Sequence, residues 1–319
     1  MRNHSLDTLK FICAVLVVML HVKTPWQHYY LPITRCAVPV FFIISGYFLM
    51  GEGMINRMWK GSRRIFVILV YSSILFAFVS YVLNGFNLGS IIPTVSKVVR
   101  FILLNDNPWA FHLWYLSAYL YVLLLCIVIE KYKLWTIAFG AVPLLLMTDL
   151  VLGKYSLLIL NREYPYVLVR NFLFVGLPYF LIGAYIKKLG SLAYKKVEMM
   201  WGGIFLFSFT SIVENRLLIV IGLNPERDHY LSTTFLAVSL FLLFLNRIQK
   251  KPTVCSIMGA RDSLYIYIFH PIWIYFFYMI NGMMPGSRIA DLLSIVSPII
   301  ILGGTIILIM LLRKVKMIR

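Results

Sequence analysis

Charged residues are scarce in this sequence, and acidic residues are the scarcest. Only 13% of the 319 residues are charged, and 12 acidic residues stand against 30 basic ones. Soluble domains carry about twice that share of charge, so the composition excludes an ordinary water-soluble protein. The mean hydropathy of +0.85, together with repeated apolar runs of about 20 residues, indicates a polytopic helical membrane protein.

Paired cysteines and the common catalytic motifs are also missing. The four cysteines show no paired spacing, and Cys13, Cys36 and Cys126 lie in apolar runs. This pattern predicts packing residues rather than disulfides or metal ligands. The sequence has no glycine-rich phosphate loop, no His-Glu-x-x-His zinc pattern and no Gly-x-Ser-x-Gly nucleophile elbow. We therefore expect no metal and none of the soluble enzyme classes that these motifs mark.

The net charge of +18 is explained by where the basic residues fall. In a soluble protein such an excess would suggest nucleic-acid binding. Here the Lys and Arg residues cluster in alternate short loops between apolar runs, which is the pattern of the positive-inside rule. We expect no nucleic-acid partner, both termini in the cytoplasm, and an all-α transmembrane bundle. This bundle should form one membrane-embedded domain over residues 1–319, with no appended soluble domain.

The apolar runs predict about ten transmembrane spans. They are Leu6–Val22, Thr34–Met50, Ile65–Leu83, His112–Glu130, Leu134–Leu152, Val167–Ile186, Glu198–Glu214, Leu231–Arg247, Ser263–Asn281 and Ile289–Leu312. The longest outer connection contains an apolar stretch with Lys97 and Arg100 one turn apart, which predicts a helix lying in the membrane interface. No internal repeat is evident, and this weakens an inverted-repeat transporter.

The first span carries ionisable residues at both ends. Lys10 and His21 are eleven positions apart, so on a helix they share one face and lie about 16 Å apart along the axis. Asp7 lies one turn before Lys10. Ionisable groups inside a span are costly and usually point into a bundle or cavity where they function. The alternative is that Asp7 and Lys10 mark the water interface and His21 caps the far end.

Further polar side chains lie within or at the ends of other spans. They are Arg35, His112, Arg170, Glu214 and His270. Each also has a purely structural interpretation. His270 precedes Pro271 and could fill a backbone group freed at a helix kink. His112 and Trp114 could belong to an interfacial aromatic belt, and Arg170 and Glu214 could form an ion pair in the bundle. Their number favours a shared polar cavity.

Four other residues suggest structural roles. Asp149, near the end of the fifth span, could snorkel to the interface, and His229 has the setting of an ordinary loop residue. The Ser45–Gly46 pair predicts a point of close helix packing, because small residues let helices approach each other.

Six segments of the sequence form an ordered set: LDTLKFICAVLVVMLH, RCAVPVFFIISGYFL, KGSRRI, FHLWYLSAYL, GLPYFLIGAYI and SLYIYIFH. In this order they resemble the bacterial acyltransferase-3 family of integral membrane, acyl-CoA-dependent O-acyltransferases. LDTLKFICAVLVVMLH, from Leu6 to His21, looks like the family's first span, in which a basic residue, usually Arg, precedes a His by eleven positions. Here that residue is Lys10. The five later segments look like later segments of the family. The resemblance covers nearly the whole chain.

The resemblance implies a donor and assigns roles to residues. The donor would be an acyl-CoA, most simply acetyl-CoA, whose phosphates bind Lys10, Lys60, Arg63 and Arg64 from the cytoplasm. His21 would act as general base on an acceptor hydroxyl or would carry the acyl group itself. Lys in place of Arg keeps the charge but loses the bidentate fork.

Supporting roles follow for the other polar residues. Asp7 would orient Lys10, and Glu214 would assist His21 in the catalytic group. The residues expected to bind the acceptor or to orient His21 are Arg35, His112, Trp114, Arg170 and His270.

We therefore expect a multi-pass O-acetyltransferase of the bacterial cytoplasmic (inner) membrane. Its partners would be acyl-CoA, a cell-envelope or exported glycan and the lipid bilayer, and the sequence leaves a homo-oligomer open. The alternative is a transporter or flippase for a small solute or a lipid-linked sugar. A purely structural membrane partner would not explain the set of buried ionisable residues.

Overall fold

The computed structural model describes residues 3–193, 196–223, 227, 229–247 and 249–318, and all regular structure in these ranges is helical. The helices are α1 (His4–His21), α2 (Gln27–Thr34), α3 (Ala37–Leu49), α4 (Met54–Leu83), α5 (Val95–Leu104), α6 (Trp114–Lys131), α7 (Trp135–Leu152), α8 (Ser156–Leu160), α9 (Tyr166–Val169), α10 (Leu177–Leu189), α11 (Val197–Val220), α12 (Thr233–Asn246), α13 (Val254–Arg261), α14 (Ser263–Gly282) and α15 (Arg288–Lys314). The all-α prediction is confirmed.

Nine helical segments among the described residues are long and apolar enough to cross a membrane. They are His4–His21, Gln27–Leu49, Met54–Leu83, Phe111–Lys131, Trp135–Leu152, Phe172–Leu189, Val197–Val220, Ser263–Gly282 and Arg288–Lys314. The eighth predicted span is the shorter apolar helix α12, with 14 residues. A helix of this length measures about 21 Å, which is less than the roughly 30 Å of a bilayer core.

The third predicted span begins too late. α4 starts at Met54, well before Ile65, and has 30 residues. Lys60, Arg63 and Arg64 therefore lie on its first turns, where their side chains are exposed, and not in a preceding loop. The physical reason is that Lys and Arg are good helix formers with long side chains that reach water, so the helix continues past its apolar part.

Two more boundaries place candidate residues differently. Arg170 does not lie inside a span, because it follows the short helix α9 and precedes the π-helical turn Phe172–Gly176, which leads into α10. Glu214 does not end its span, because α11 continues to Val220. In both places the sequence correctly predicts an apolar helical segment. Hydropathy, however, does not mark where a helix breaks or ends.

The chain divides into two compact units, and α1 lies in the first. This unit comprises Met1–Val40, Lys195–Leu217 and Ser232–Arg319. In it, α1 packs against α2, α12, α13, α14 and α15. The contact with α13 is the closest, since a Cβ atom on Gly259 would lie 1.8 Å from the backbone oxygen of Asp7. Only glycine lets the two backbones approach this closely.

The second unit comprises Phe41–Tyr194 and Leu218–Leu231. In it, α4 packs against α6, and α7 packs against α10. α10 also crosses α3 through two glycines. A Cβ atom on Gly46 would lie 1.9 Å from the oxygen of Phe180, and one on Gly183 would lie 2.0 Å from the oxygen of Ile43. The close packing predicted at Gly46 is confirmed.

Candidate active site

His21 and His270 lie side by side in the first unit. Their ring centroids are 5.4 Å apart with an interplanar angle of 23°, so the imidazoles are stacked. His21 is the last residue of α1 and is half-buried, whereas His270 is fully buried in the middle of α14. The structure therefore brings together two candidate residues that are far apart in sequence.

The ring of His270 is held by its own helix. Its Nδ1 lies 2.8 Å from the oxygen of Tyr267 and 3.1 Å from that of Ile266. A carbonyl oxygen can only accept, so Nδ1 is the donor and carries a hydrogen. Pro271 has no N–H, which leaves the oxygen of Tyr267 without its usual helical donor. The predicted filling of the backbone group freed by Pro271 is thus confirmed, and the same ring also stacks on His21.

At the other end of α1, Lys10 donates to Asp7. The Nζ–Oδ1 distance is 3.0 Å, and the two residues are one turn apart on the same helix. Asp7 is buried, while about a quarter of the Lys10 side chain remains exposed. The carboxylate fixes the position of the ammonium group, as expected of an orienting residue.

Glu214 and Arg35 belong to the same unit as His21. Glu214 lies on α11, where the next residue, Asn215, donates to the backbone oxygen of His28 in α2 at 3.0 Å. Arg35 is half-buried at the junction of α2 and α3. The hydrogen bond from Asn215 attaches α11 to α2, which follows α1 directly in the chain.

In the second unit, Arg170 is surrounded by aromatic rings. Its guanidinium carbon lies 4.9 Å from the ring centroid of Tyr166, 5.5 Å from that of Phe111 and 6.0 Å from that of Trp114. These residues line a cavity of about 40 Å³ together with Asp106. A space of this size holds one or two water molecules, so a larger ligand would lie across its mouth.

His112 is buried next to Phe76. It is 4% exposed in the turn before α6, and its ring meets that of Phe76 edge to face at 4.6 Å. A belt residue exposes its ring at the interface, so this burial counts against the alternative of an interfacial aromatic belt at His112. The basic cluster on α4 consists of Lys60, Arg63 and Arg64, and it is exposed. In it, the guanidinium carbon of Arg63 lies 5.5 Å from the ring centroid of Trp59.

A comparison with known families identifies the chain. The family model described as an acyltransferase domain matches residues 3–314. The chain belongs to the acyltransferase-3 family. It is a multi-pass membrane protein that carries an acyltransferase domain over nearly its whole length.

Two relatives of this acyltransferase-3 chain are named as racemases. A serine/alanine racemase of Enterococcus gallinarum is 26% identical over 295 residues, which cover 85% of this chain and 41% of the relative. An amino-acid racemase of Enterococcus faecalis is 26% identical over 314 residues, which cover 89% of this chain and 43% of the relative. The chain thus spans less than half the length of these relatives. No solved structure matches it.

The acyltransferase-3 chain also contains a polar cluster that sequence reasoning missed. His229 Nδ1 lies 2.7 Å from Asp149 Oδ2, and both residues are buried. The interpretation of Asp149 as a snorkelling residue is therefore wrong. His229 lies in a loop as predicted, but its side chain is buried and paired. Close by in sequence, Lys154 places its Nζ 3.5 Å above the ring of Tyr230. An acidic residue at the end of an apolar run was the only signal in the sequence.

Proposed function

We propose that this chain transfers an acyl group, most simply acetyl, from acyl-CoA on the cytoplasmic side to a hydroxyl of a cell-envelope or exported glycan. The setting would be the bacterial cytoplasmic (inner) membrane. The observation that carries the proposal is the stacked pair of His21 and His270 on a chain of the acyltransferase-3 family. A half-buried imidazole at the end of a span is a suitable general base.

The reaction forms one ester bond and breaks one thioester bond. His21 takes the proton from the acceptor hydroxyl as its oxygen attacks the thioester carbonyl. The C–O bond forms, the C–S bond breaks, and the thiolate of CoA leaves and is protonated. If His21 instead carries the acyl group, its ring nitrogen attacks first and the acceptor oxygen then displaces the imidazole.

His270 would act as a positioning residue for His21. Its Nδ1 is committed to the oxygen of Tyr267, so its ring has a fixed orientation against which His21 stacks. Two imidazolium cations at this separation would repel each other. The pair therefore favours at least one neutral ring, which is the form that a base requires.

Lys10 would bind a phosphate of the donor at the opposite end of α1. Asp7 holds its Nζ, and the side chain still has exposed surface for a ligand. Lys60, Arg63 and Arg64 offer three further exposed cations on α4. We expect Lys10→Arg to lower the KM for acyl-CoA, since a guanidinium binds phosphate through two parallel hydrogen bonds. An unchanged KM would remove Lys10 from the donor site.

Arg170 and its aromatic neighbours would contact the acceptor glycan. Flat aromatic faces next to a few oriented polar groups are typical of sites for small organic ligands. Arg170 presents this combination with Trp114, Tyr166 and Asp106. Arg170→Gln should therefore raise the KM for the acceptor and leave that for acyl-CoA unchanged.

The central test compares two histidines of the same helix. Membranes that contain the full-length chain are supplied with labelled acetyl-CoA, and label is followed into the envelope glycan. We expect His21→Gln to reduce transfer by about 10²–10⁴-fold, the usual contribution of a general base. His4→Gln, at the first position of α1, should leave transfer unchanged. Full transfer by a folded His21→Gln protein would refute the proposal.

A second candidate function is transport of a small solute. The observation in its favour is that both relatives are named for racemisation, a reaction without acyl transfer. Proteoliposomes that contain the chain would show uptake of serine or alanine without acyl-CoA if transport is the function. Uptake that His21→Gln leaves intact, in the absence of any acyl transfer, would favour this candidate.

A further inference from the structure

A largely apolar groove lies between α13 and α15 in the first unit. It is a cavity of about 240 Å³ that is open on one side. Its walls are mostly aliphatic and methionine side chains, with an Arg and an Asp beside them. The lining residues are Val254, Ile257, Met258, Arg261, Asp262, Ile306, Ile309 and Met310. Val254, Ile257 and Met310 are among the exposed large hydrophobic residues of the chain.

Arg261 and Asp262 line this groove, and Arg313 contacts Asp262 beside it. Arg261 Nη2 is 3.0 Å from Asp262 Oδ2, and Arg313 Nη2 is 2.7 Å from Asp262 Oδ1. Asp262 is buried, so its carboxylate holds both guanidinium groups in place. About half of the Arg261 side chain remains exposed. The cluster has two positive charges and one negative charge, and it therefore attracts an anion.

The cluster also lies where two candidate membrane spans end. Asp262 immediately precedes the span Ser263–Gly282, and Arg313 lies in the last turn of the span Arg288–Lys314. These two helices pack against each other. We therefore expect the cluster at the height of lipid headgroups, and the apolar walls of the groove extend along the part of α15 that is apolar enough to lie in the bilayer.

We propose that this groove binds one anionic phospholipid, with the phosphate at Arg261 and Arg313 and part of one acyl chain along the aliphatic wall. Basic pockets between transmembrane helices bind anionic headgroups in this way. A soluble phosphate compound would use the arginines but would gain nothing from the apolar wall. A zwitterionic lipid would bring a second cation to a cluster that is already positive.

The test measures lipid binding by the purified full-length chain. Native mass spectrometry in detergent is used to titrate the protein with phosphatidylglycerol, with phosphatidylcholine, and with phosphatidylglycerol in the presence of acetyl-CoA. The variants are Arg261→Gln, which removes a half-exposed charge, and Ile257→Trp, which fills the groove without changing charge. Arg288→Gln is the matched control, because this exposed arginine lies at the opposite end of α15.

We expect phosphatidylglycerol to bind more tightly than phosphatidylcholine. Arg261→Gln should weaken phosphatidylglycerol binding about fivefold, which corresponds to one basic residue near an anionic lipid surface. Ile257→Trp should also weaken it, and Arg288→Gln should not. Equal binding of the two lipids, equal effects of Arg261→Gln and Arg288→Gln, or displacement of the lipid by acetyl-CoA would each overturn the proposal. None of these outcomes depends on acyl transfer.

Discussion

Replacing Gly259 by Ala is expected to loosen the contact between α13 and α1. A Cβ atom at this position would lie 1.8 Å from the oxygen of Asp7, 2.8 Å from its carbonyl carbon and 2.9 Å from the nitrogen of Phe11. A carbon normally stays about 3.3 Å or more from a carbonyl oxygen, so the helices must separate by about 1.5 Å. All three opposing atoms belong to the backbone and cannot rotate away.

The magnitude follows from two opposing contributions. Overpacking of this kind costs roughly 1–3 kcal/mol, and the rigid backbone places this site at the upper end. Alanine recovers about 1 kcal/mol, because it is a better helix former than glycine. A net loss of about 2 kcal/mol in the free energy of unfolding remains. Because Asp7 holds Lys10, the KM for acyl-CoA should rise in the same variant.

The assay is reversible unfolding of the purified protein in mixed micelles, with a matched glycine as the control. Gly202 lies within α11, and a Cβ atom there would meet nothing within 4 Å. Gly202→Ala should therefore stabilise the protein by up to about 1 kcal/mol. If Gly259→Ala is as stable as the parent, or if both variants lose the same stability, the inferred backbone contact is wrong.

Two further predictions concern His270 and the missed cluster. Pro271→Ala restores an N–H that competes with His270 for the oxygen of Tyr267. The protein should therefore become more stable while acyl transfer falls. A loss of stability, or undiminished transfer, would contradict this prediction. Asp149→Asn and His229→Gln should each destabilise the protein, and the double variant should show a coupling of about 1–3 kcal/mol. Additive losses in the same unfolding assay would show that the two side chains are not paired.

Local features of the fold could be read from the sequence because they depend on neighbouring residues. Apolar runs set most of the spans, and the helical period places Lys10 and His21 on one face of α1. The hydrogen bond of His270 to a freed backbone oxygen could be predicted for the same reason, since Pro271 is the next residue. Gly46 was likewise recognisable as a small residue in an apolar helix.

Pairings between distant segments could not be read in this way. Asp149 and His229 are 80 positions apart, and no periodicity connects them. Gly259 gave no signal either, since a glycine in a short helix does not reveal which backbone it will meet. The start of α4 was missed because hydropathy falls at Lys60 while helix propensity does not.

Both ends of α1 depend on a place where a neighbouring helix departs from ordinary helical packing. At the Lys10 end, α13 lacks a Cβ atom at Gly259, and this lets its backbone reach Asp7. At the His21 end, α14 lacks an N–H at Pro271, and His270 donates to the oxygen thus freed. Neither Gly259 nor Pro271 can react with a substrate. Substitutions at these two positions should therefore change the proposed activity as much as changes to some of the polar residues themselves.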